Sequence, residues 1–371
     1  MIGRMRALLL SSALLAASPM AHASSGDASL IFVGDIMVAE TPGELIARGE
    51  DPFQPFAALL SSHDVRIGNL ECVVATTGTA EEKPYTFRAD PRTLPVLKRH
   101  FDAVSLANNH SGDFGKAAFA EQLALMDKAG LPYFGGGRDA TAAHAPWIVE
   151  RNGVRIARIW RTEAELPSER GPLQQPGVDA REGDLVRAVD GRPVRTGVRI
   201  ALLGYVEFKP RSFEADASRP GVAWSGEDDD VIEDIIAARR VHRADIVIPF
   251  MHWGWEDEPD PSPRLRAFAR RMIDAGADLV VGGHPHVTQG AEYYRGKPII
   301  YSLGNFLFNG FDTPATTTGW VLSARVDRTG VVDWRTHVAR LDANGVPHRD
   351  PTASSPCASP DRKVVNQCAG E

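Results

Sequence analysis

Five apolar segments of this 371-residue chain are each followed directly by polar side chains that can bind metal ions. In chain order they are LIFV before Gly34-Asp35, VRIGNL before Glu71, AVSLA before Asn108-Asn109-His110, IVIPFM before His252, and LVVGG before His284-Pro285-His286. Short apolar runs that alternate with helical patterns are typical of an α/β fold with buried strands. Such sheets form their binding sites at the carboxyl ends of the strands, so the pattern predicts one shared site.

The residue types at these strand ends indicate a site for a divalent cation. Asp, Glu, Asn and His supply the oxygen and nitrogen ligands that suit Mn, Zn or Fe. The chain has 3 cysteines, too few for a four-thiolate zinc site. A Gly-Asp pair alone is usually a turn, and a lone His is usually a hydrogen-bonded surface residue. Four of the 11 histidines nevertheless fall at these ends, beside Asp35, Glu71 and Asn109, which favours a metal site.

Residues 1–23 predict a secretory signal peptide. Arg4 and Arg6 precede an apolar run at 7–17, and Ala21-His22-Ala23 is a small-x-small cleavage site. The run is too short to cross a bilayer, and an uncleaved anchor is the alternative. We therefore expect an exported protein, periplasmic or secreted and at most peripheral to the cell envelope, with no transmembrane segment in the mature chain.

The remaining chain is acidic and is predicted to form one large domain. Removing 1–23 takes the net charge from −7 to −9, because that segment carries two arginines and no acid. This charge argues against a nucleic-acid partner and against simple attraction to an anionic polymer. We predict an α/β domain over 28–345, a surface insertion within it at 161–195, and a polar tail at 346–371.

The three cysteines fall in two settings. Cys72 follows an apolar strand and is predicted to be a packed core thiol. Cys357 and Cys368 lie 11 residues apart in the polar tail. In an oxidising compartment they can close a disulfide, and two free thiols in a disordered tail are the open alternative.

Seven short motifs follow one another between residues 32 and 306. They are FVGDIM (32–37), GNLE (68–71), KPYTFR (83–88), SLANNHSGDFG (105–115), HWGWE (252–256), GGHPHV (282–287) and YSLGNF (301–306). In this order they resemble the CapA family of poly-γ-glutamate capsule biosynthesis proteins, a branch of the calcineurin-like metallophosphoesterase superfamily. The resemblance implies a four-layer α-β-β-α sandwich, with two mixed sheets flanked by helices and metals at one edge of the sheets. It also implies an exported protein of capsule or exopolymer biosynthesis with a metal-dependent hydrolase site.

The resemblance further implies a set of metal ligands. Asp35 resembles the first metal carboxylate, and Glu71 occupies the position of the acid that bridges two metals. The ligands of one cation would be Asn109, His252 and His284, and a ligand of the other would be His286. Met37 stands where the wider superfamily has a second ligand His, so we expect one or two ions of Mn, Zn or Fe.

The same resemblance implies residues that act on the substrate. His110 would contact a scissile phosphate and act as an acid, and Asp113 would fix its tautomer. Arg88 and Tyr85, with Lys83 beside them, are predicted to receive an anionic group of the substrate. A surface salt bridge is the alternative role of Arg88.

The expected partners are an anionic polymer or phosphate-ester substrate and the capsule synthesis machinery. Two other functions stay open on the sequence alone. One is a periplasmic metal-dependent phosphoesterase unconnected with capsule, and the other is a non-enzymatic polymer-binding module on the same fold. A purified chain that takes up no divalent metal would favour the binding module.

Overall fold

The computed structural model describes residues 26–151, 185–187, 193–195, 197–207 and 211–370. The predicted signal peptide lies outside these residues, as does most of the predicted insertion at 161–195. The strands described within that insertion, Leu185–Arg187 and Pro193–Arg195, pair antiparallel with each other. The strands that flank the insertion, Trp147–Arg151 and Val198–Val206, also pair antiparallel.

The strands described in the first half of the chain are β1 (Ala28–Ile36), β2 (Val65–Leu70), β3 (Val73–Val74), β4 (Arg88–Ala89), β5 (Ala103–Ser105), β6 (Tyr133–Phe134), β7 (Gly136–Gly137), β8 (Trp147–Arg151), β9 (Leu185–Arg187) and β10 (Pro193–Arg195). Those of the second half are β11 (Val198–Val206), β12 (Gly221–Val222), β13 (Ile246–His252), β14 (Val280–Gly283), β15 (Thr288–Tyr294), β16 (Lys297–Leu303), β17 (Asn305–Leu307), β18 (Thr318–Asp327), β19 (Gly330–Leu341), β20 (Pro347–Arg349), β21 (Ser355–Cys357) and β22 (Asn366–Cys368). The α-helices in the described ranges are α1 (Glu40–Ala47), α2 (Ala57–Ser61), α3 (Leu94–His100), α4 (Gly115–Ala129), α5 (Ala140–His144), α6 (Asp228–Arg240) and α7 (Pro263–Ala275).

Most of these strands form two mixed sheets. The larger has the order β22-β21-β19-β18-β1-β2-β5-β6, with β17 and β20 added beside β1 and β19. The smaller has the order β15-β16-β14-β13-β11-β8. Within the first, β1, β2 and β5 run parallel, and within the second, β11, β13 and β14 run parallel. Each sheet therefore has a block of parallel strands whose carboxyl ends meet at one edge.

Alternation along the strands separates the layers. On β1, Ile31 and Val33 pack in one apolar cluster with α1 to α4, whereas Phe32 faces the second sheet. On β13, Phe250 faces the first sheet and its ring meets Phe32 edge-on, with centroids 6.2 Å apart. The opposite face of β13 packs against α6 and α7, as Met251 does. The order of layers is helices, sheet, sheet, helices, which confirms the predicted four-layer α/β sandwich.

Local signals place the helix ends where the sequence indicates them. Ser262 caps α7, since its side-chain oxygen accepts a hydrogen bond from Leu265 N at 3.2 Å, and Pro263 follows as the first helical residue. Gly130 ends α4 with φ +63°, a left-handed conformation that suits glycine.

The segment predicted as a polar tail extends the larger sheet. β20 and β21 pair with β19, and β22 pairs with β21. A disulfide between Cys357 and Cys368 joins the last two strands, with Cα atoms 5.9 Å apart. The polar composition of 346–371 therefore does not set it apart from the fold, because backbone pairing and this crosslink hold it to the sheet. Cys72 is a buried free thiol, and burial raises its pKa to about 12.

One partly buried pair of side chains predicts a dependence of stability on pH. His144 Nδ1 lies 2.7 Å from Asp234 Oδ2, which also accepts a hydrogen bond from Tyr205. Burial lowers the pKa of His144, but the bond to Asp234 and the nearby acidic charges outweigh it, so the pKa is raised above 6.5. Stabilisation from this pair is full below the unfolded-state pKa and is lost as pH rises through the folded-state pKa.

We therefore expect His144→Gln to reduce the free energy of unfolding more at about pH 6 than at about pH 8. Urea unfolding at both pH values measures the difference, with His242→Gln as control, because His348 is itself paired with Asp342. An equal loss at the two pH values would show that the pair does not titrate in this way.

Candidate metal centre

The parallel strands of both sheets bring buried polar side chains to one place. Asp35 lies near the end of β1, and Glu71 follows β2. His252 is the last residue of β13, and the loop after β14 carries His284 and His286. All five side chains are almost completely buried. Five of the six predicted ligands, which follow four different strands, therefore lie close together. Their positions at the ends of strands predict this arrangement.

One group of ligands gathers around His252. Its Nε2 atom lies 2.7 Å from Asn109 Oδ1 and 3.4 Å from Glu71 Oε1. The ring of His284 stands 4.6 Å away, centroid to centroid. Ligand atoms of Glu71, His252 and His284 all lie within 4.8 Å of one another, close enough to share one cation.

A second group gathers around His286. Its Nδ1 atom is 3.6 Å from Asp35 Oδ2, and its Nε2 atom is 3.9 Å from Glu71 Oε1. These three residues also offer ligand atoms within 4.8 Å of one another. Asn305 Oδ1 lies 2.8 Å from His286 Nδ1 and orients the ring. Glu71 belongs to both groups and so has the position of a bridging ligand.

The backbone beside these ligands is tightly constrained. His284 and His286 have φ values of +95° and +57°, which cost a non-glycine residue on the order of 1–3 kcal/mol each. A Cβ atom on Gly34 would lie 1.8 Å from Gly304 O, and one on Gly283 would lie 2.9 Å from Asp35 Oδ1. The chain thus accepts local strain and close approach at the point where the ligands meet.

The electrostatics fit a divalent cation. Burial raises the pKa of Asp35, and burial followed by the Asp35 charge raises that of Glu71 well above its usual value. Burial first, then neighbouring histidines, lowers the pKa values of His252 and His284. Among the described residues, the buried Glu71 Oε1 atom has no hydrogen-bond partner. A cation would compensate the carboxylates and accept the lone pairs of neutral imidazoles, so the donor set fits Mn, Zn or Fe.

His110 and Asp113 lie beside this cluster. His110 Nδ1 is 2.8 Å from Asp113 Oδ2, which also accepts a 2.6 Å hydrogen bond from Phe87 N. Lys83 forms an ion pair with the other Asp113 oxygen and donates to Asn109 O at 3.0 Å. The Asp113 carboxylate is thereby fixed by three groups and can hold the His110 ring in one orientation.

The residues predicted to receive an anionic substrate are not gathered in the same way. Arg88 donates to the carbonyls of Thr77 and Gly78 at 3.2 Å, and its guanidinium lies 4.4 Å from the centroid of the Phe114 ring. Tyr85 is 70% exposed. Their role in substrate binding stays a prediction, whereas Lys83 of the same motif contacts Asp113 and Asn109 directly.

Sequence reasoning missed several residues that support the ligands. Asn69 Nδ2 donates to Asp35 Oδ1 at 2.8 Å, and Asn108 Nδ2 donates to Asn69 Oδ1 at 3.0 Å. Asn305 orients His286, and Glu256 approaches the two histidines after β14. Each lies inside one of the seven motifs, so attention to every polar residue in those motifs could have found them.

A cleft of about 440 Å³ reaches Asn109, one of the predicted ligands. Lys83, Phe213 and Trp224 are among its other lining residues. The cleft therefore approaches the cluster from the side that carries Asn109.

Comparison with known proteins finds relatives named for capsule and polymer synthesis. The chain is 28% identical to the capsule biosynthesis protein CapA of Bacillus anthracis over 79% of its length, and 30% identical to the PGA biosynthesis protein CapA of Bacillus subtilis over 76%. It spans 63% of the length of each of these relatives. A probable polyglutamine synthesis accessory protein of Mycobacterium tuberculosis is 32% identical to this chain. That match covers 65% of this chain and 55% of the length of the mycobacterial protein.

Among solved structures, the chain aligns with the crystal structure of a hypothetical protein from Thermus thermophilus. The alignment covers 84% of this chain and 98% of the Thermus chain, with a TM-score of 0.42 and 17% sequence identity. Within the part of the chain that the structure describes, no helix combines the length and apolar character needed to cross a membrane. The model of the bacterial capsule synthesis protein family PGA_cap matches residues 29–310, and the chain belongs to that family.

Proposed function

We propose that this chain is an exported, metal-dependent hydrolase of capsule-polymer biosynthesis that acts on a phosphate ester or on an anionic polymer carrying one. The observation that carries the proposal is the convergence of two buried carboxylates and three buried histidines from both sheets. Burying this many ionisable groups without a cation is costly, so a structural role alone does not explain them.

The ligands would be divided around Glu71. Asn109, His252 and His284 would hold one cation with it, and Asp35 and His286 would hold the other. Bound divalent cations would neutralise a phosphoryl oxygen and make a water molecule more acidic, which supports in-line hydrolysis. Asn69 and Asn305 would keep Asp35 and His286 in position through the hydrogen bonds described above.

His110 would supply the proton for the leaving group. Because Asp113 accepts from Nδ1, the Nε2 atom is the one that would exchange the proton with substrate. Lys83 and Phe87 N, both bonded to Asp113, would keep the ring pointing to one side of the cluster. Donation from Nε2 requires the doubly protonated ring; burial lowers the pKa of His110, and the hydrogen bond and charge of Asp113 oppose this by stabilising that form.

The biological setting is proposed from the relatives and from the amino terminus. Relatives in two Bacillus species are named for capsule or PGA biosynthesis, and the mycobacterial one for polyglutamine synthesis. Residues 1–23 have the features of a signal peptide, which supports a periplasmic or secreted location. A capsule polymer intermediate is the substrate class that suits both observations.

The test combines metal content with turnover. After loading with Mn²⁺ or Zn²⁺, wild type should retain at least one ion per chain and hydrolyse a nitrophenyl phosphodiester or phosphomonoester. His110→Ala should keep the metal and lose turnover by about 10²–10⁴-fold, because a proton donor is removed. The exposed His348→Ala is the matched control and should resemble wild type.

Two outcomes would contradict the proposal. A wild-type protein without bound metal would favour a polymer-binding module. Unchanged turnover in His110→Ala would place the hydrolysis at another site.

A further inference from the structure

A third group of possible ligands lies where the cluster meets solvent. Glu256, His284 and His286 each offer one ligand atom, and these atoms lie within 4.8 Å of one another. The two histidines are buried, whereas Glu256 is exposed. This carboxylate stands outside the ligand set that the sequence analysis assigned.

Backbone hydrogen bonds hold the Glu256 loop against the histidine loop. Trp253 N donates to Gly283 O at 3.2 Å, and Asp257 N donates to Pro285 O at 2.9 Å. In sequence, Glu256 lies between the two donor residues of these bonds, and His284 lies between the two acceptor residues. Gly254 and Asp257 have φ values of +84° and +63°, so the loop turns sharply on both sides of Glu256. The fold thus fixes the backbone of Glu256 beside the histidine loop, within side-chain reach of His284 and His286.

This chain has no histidine at the position where the wider superfamily has a second ligand histidine. Met37 occupies it and is fully buried in the apolar cluster beneath α1 to α4. Its sulfur lies 3.2 Å from Ala39 N, within the range of a weak hydrogen bond. That position therefore adds nothing to the second cation, which Asp35 and His286 would hold, and Glu256 supplies a further oxygen of the type that Mn²⁺ prefers.

We propose that Glu256 is a further ligand of this second divalent cation at the mouth of the site, beside His286 and within reach of His284. This inference rests on the proposed metal-dependent function. Glu71, His252 and Asn109 remain with the inner cation. His284 belongs to both groups and can serve either cation, whereas Glu256 belongs to the outer one alone. Glu256 is therefore the residue that tests the outer position specifically.

The experiment is a Mn²⁺ titration of the full chain by calorimetry, with electron paramagnetic resonance spectra of the loaded protein. Wild type should bind two ions, and Glu256→Gln should bind the first normally and the second at least about 10- to 100-fold more weakly. Spectra should change from a spin-coupled pair to the six-line signal of one Mn²⁺. Glu258→Gln removes another exposed carboxylate two residues away and should bind two ions as wild type does.

The outcomes separate this inference from the function on which it rests. Equal binding by wild type and Glu256→Gln, or equal weakening by Glu258→Gln, overturns the role of Glu256. A wild type that binds a single ion also overturns it but leaves the proposed hydrolase intact. A wild type that binds no ion overturns both. Because Glu256 is exposed, the variant should fold, and its circular dichroism spectrum checks this.

Discussion

Glu71→Gln should melt at a higher temperature than wild type when both proteins are free of metal, and at a lower temperature when both are saturated with Mn²⁺. Glu71 is fully buried, and its Oε1 atom has no hydrogen-bond partner among the described residues. Burial, and then the charge of Asp35, raises the pKa of Glu71 well above its usual value. The ionised carboxylate is therefore a destabilising group in the absence of a cation.

The higher melting temperature expected for the metal-free variant follows from proton linkage. An acid whose pKa is raised on folding destabilises the protein increasingly as pH rises from the unfolded-state pKa toward the folded-state pKa. Glutamine cannot ionise, so at neutral pH the variant avoids a cost of about 1–3 kcal/mol, which corresponds to roughly 2–6 °C in melting temperature. This advantage should shrink as pH is lowered, because the wild-type carboxyl then becomes neutral as well.

Mn²⁺ should reverse the order of the two melting temperatures, because Glu71 belongs to two of the three groups of possible ligands found among the described residues. An ion present at about 100 times its dissociation constant stabilises the folded state by about 2.7 kcal/mol. The variant lacks the bridging carboxylate and should gain little of this stabilisation.

Scanning calorimetry of protein treated with chelator, and then loaded with Mn²⁺, measures both effects. Glu44→Gln, which removes an exposed acid on α1, is the control and should follow wild type in both states. A Mn²⁺-induced rise in melting temperature equal to that of wild type would contradict the bridging role. A metal-free variant that melts below metal-free wild type would contradict the expectation that the buried Glu71 carboxylate destabilises the protein.

The sequence contains enough information for the strands and for most of the proposed ligands. Buried parallel strands are nearly continuous apolar runs, and β1, β2 and β13 have this character, so the polar residue after each run stands out. Asp35, Glu71 and His252 were identifiable for that reason. The motif resemblance added the order of the layers, which no pattern in the strands reveals.

Other features depend on contacts between distant parts of the chain. Asn305 reaches His286 because β15 and β16 pair antiparallel with Thr288 opposite Leu303, and the sequence near Asn305 does not reveal this register. β21 and β22 are three residues long, so their period is too short to indicate strands. Arg88 was chosen for its charge, but the carbonyls and the Phe114 ring that it contacts depend on how two loops pack.

Gly34→Ala is expected to lower both the free energy of unfolding and the affinity for Mn²⁺. Gly34 precedes the proposed ligand Asp35 on β1, and a Cβ atom there would lie 1.8 Å from Gly304 O. Asp35 N donates to the same carbonyl oxygen at 3.1 Å. The methyl group must push the two backbone segments apart, which breaks this bond and moves Asp35 and Asn305 away from His286.

Overpacking of this kind usually costs about 1–3 kcal/mol, and a contact with rigid backbone places the variant at the upper end or beyond. Gly290→Ala on β15 is the matched control, because a Cβ atom there meets nothing within 4 Å. Urea unfolding of metal-free protein and calorimetric Mn²⁺ titration measure the two effects separately. Equal stability and equal affinity in the two alanine variants would show that the approach of Gly34 to Gly304 does not position Asp35.

If Gly34→Ala does not fold, Gly283→Ala tests the same positioning more gently. Its Cβ atom would lie 2.9 Å from the Asp35 Oδ1 atom, whereas its nearest contacts leave the pairing of β1 with β17 untouched. We expect it to retain most of its stability and to lose Mn²⁺ affinity, because the carboxylate must rotate away from His286 while the strands stay in place. Retention of wild-type affinity would mean that Asp35 can shift without loss of the cation, and that the tight backbone at this edge serves the fold alone.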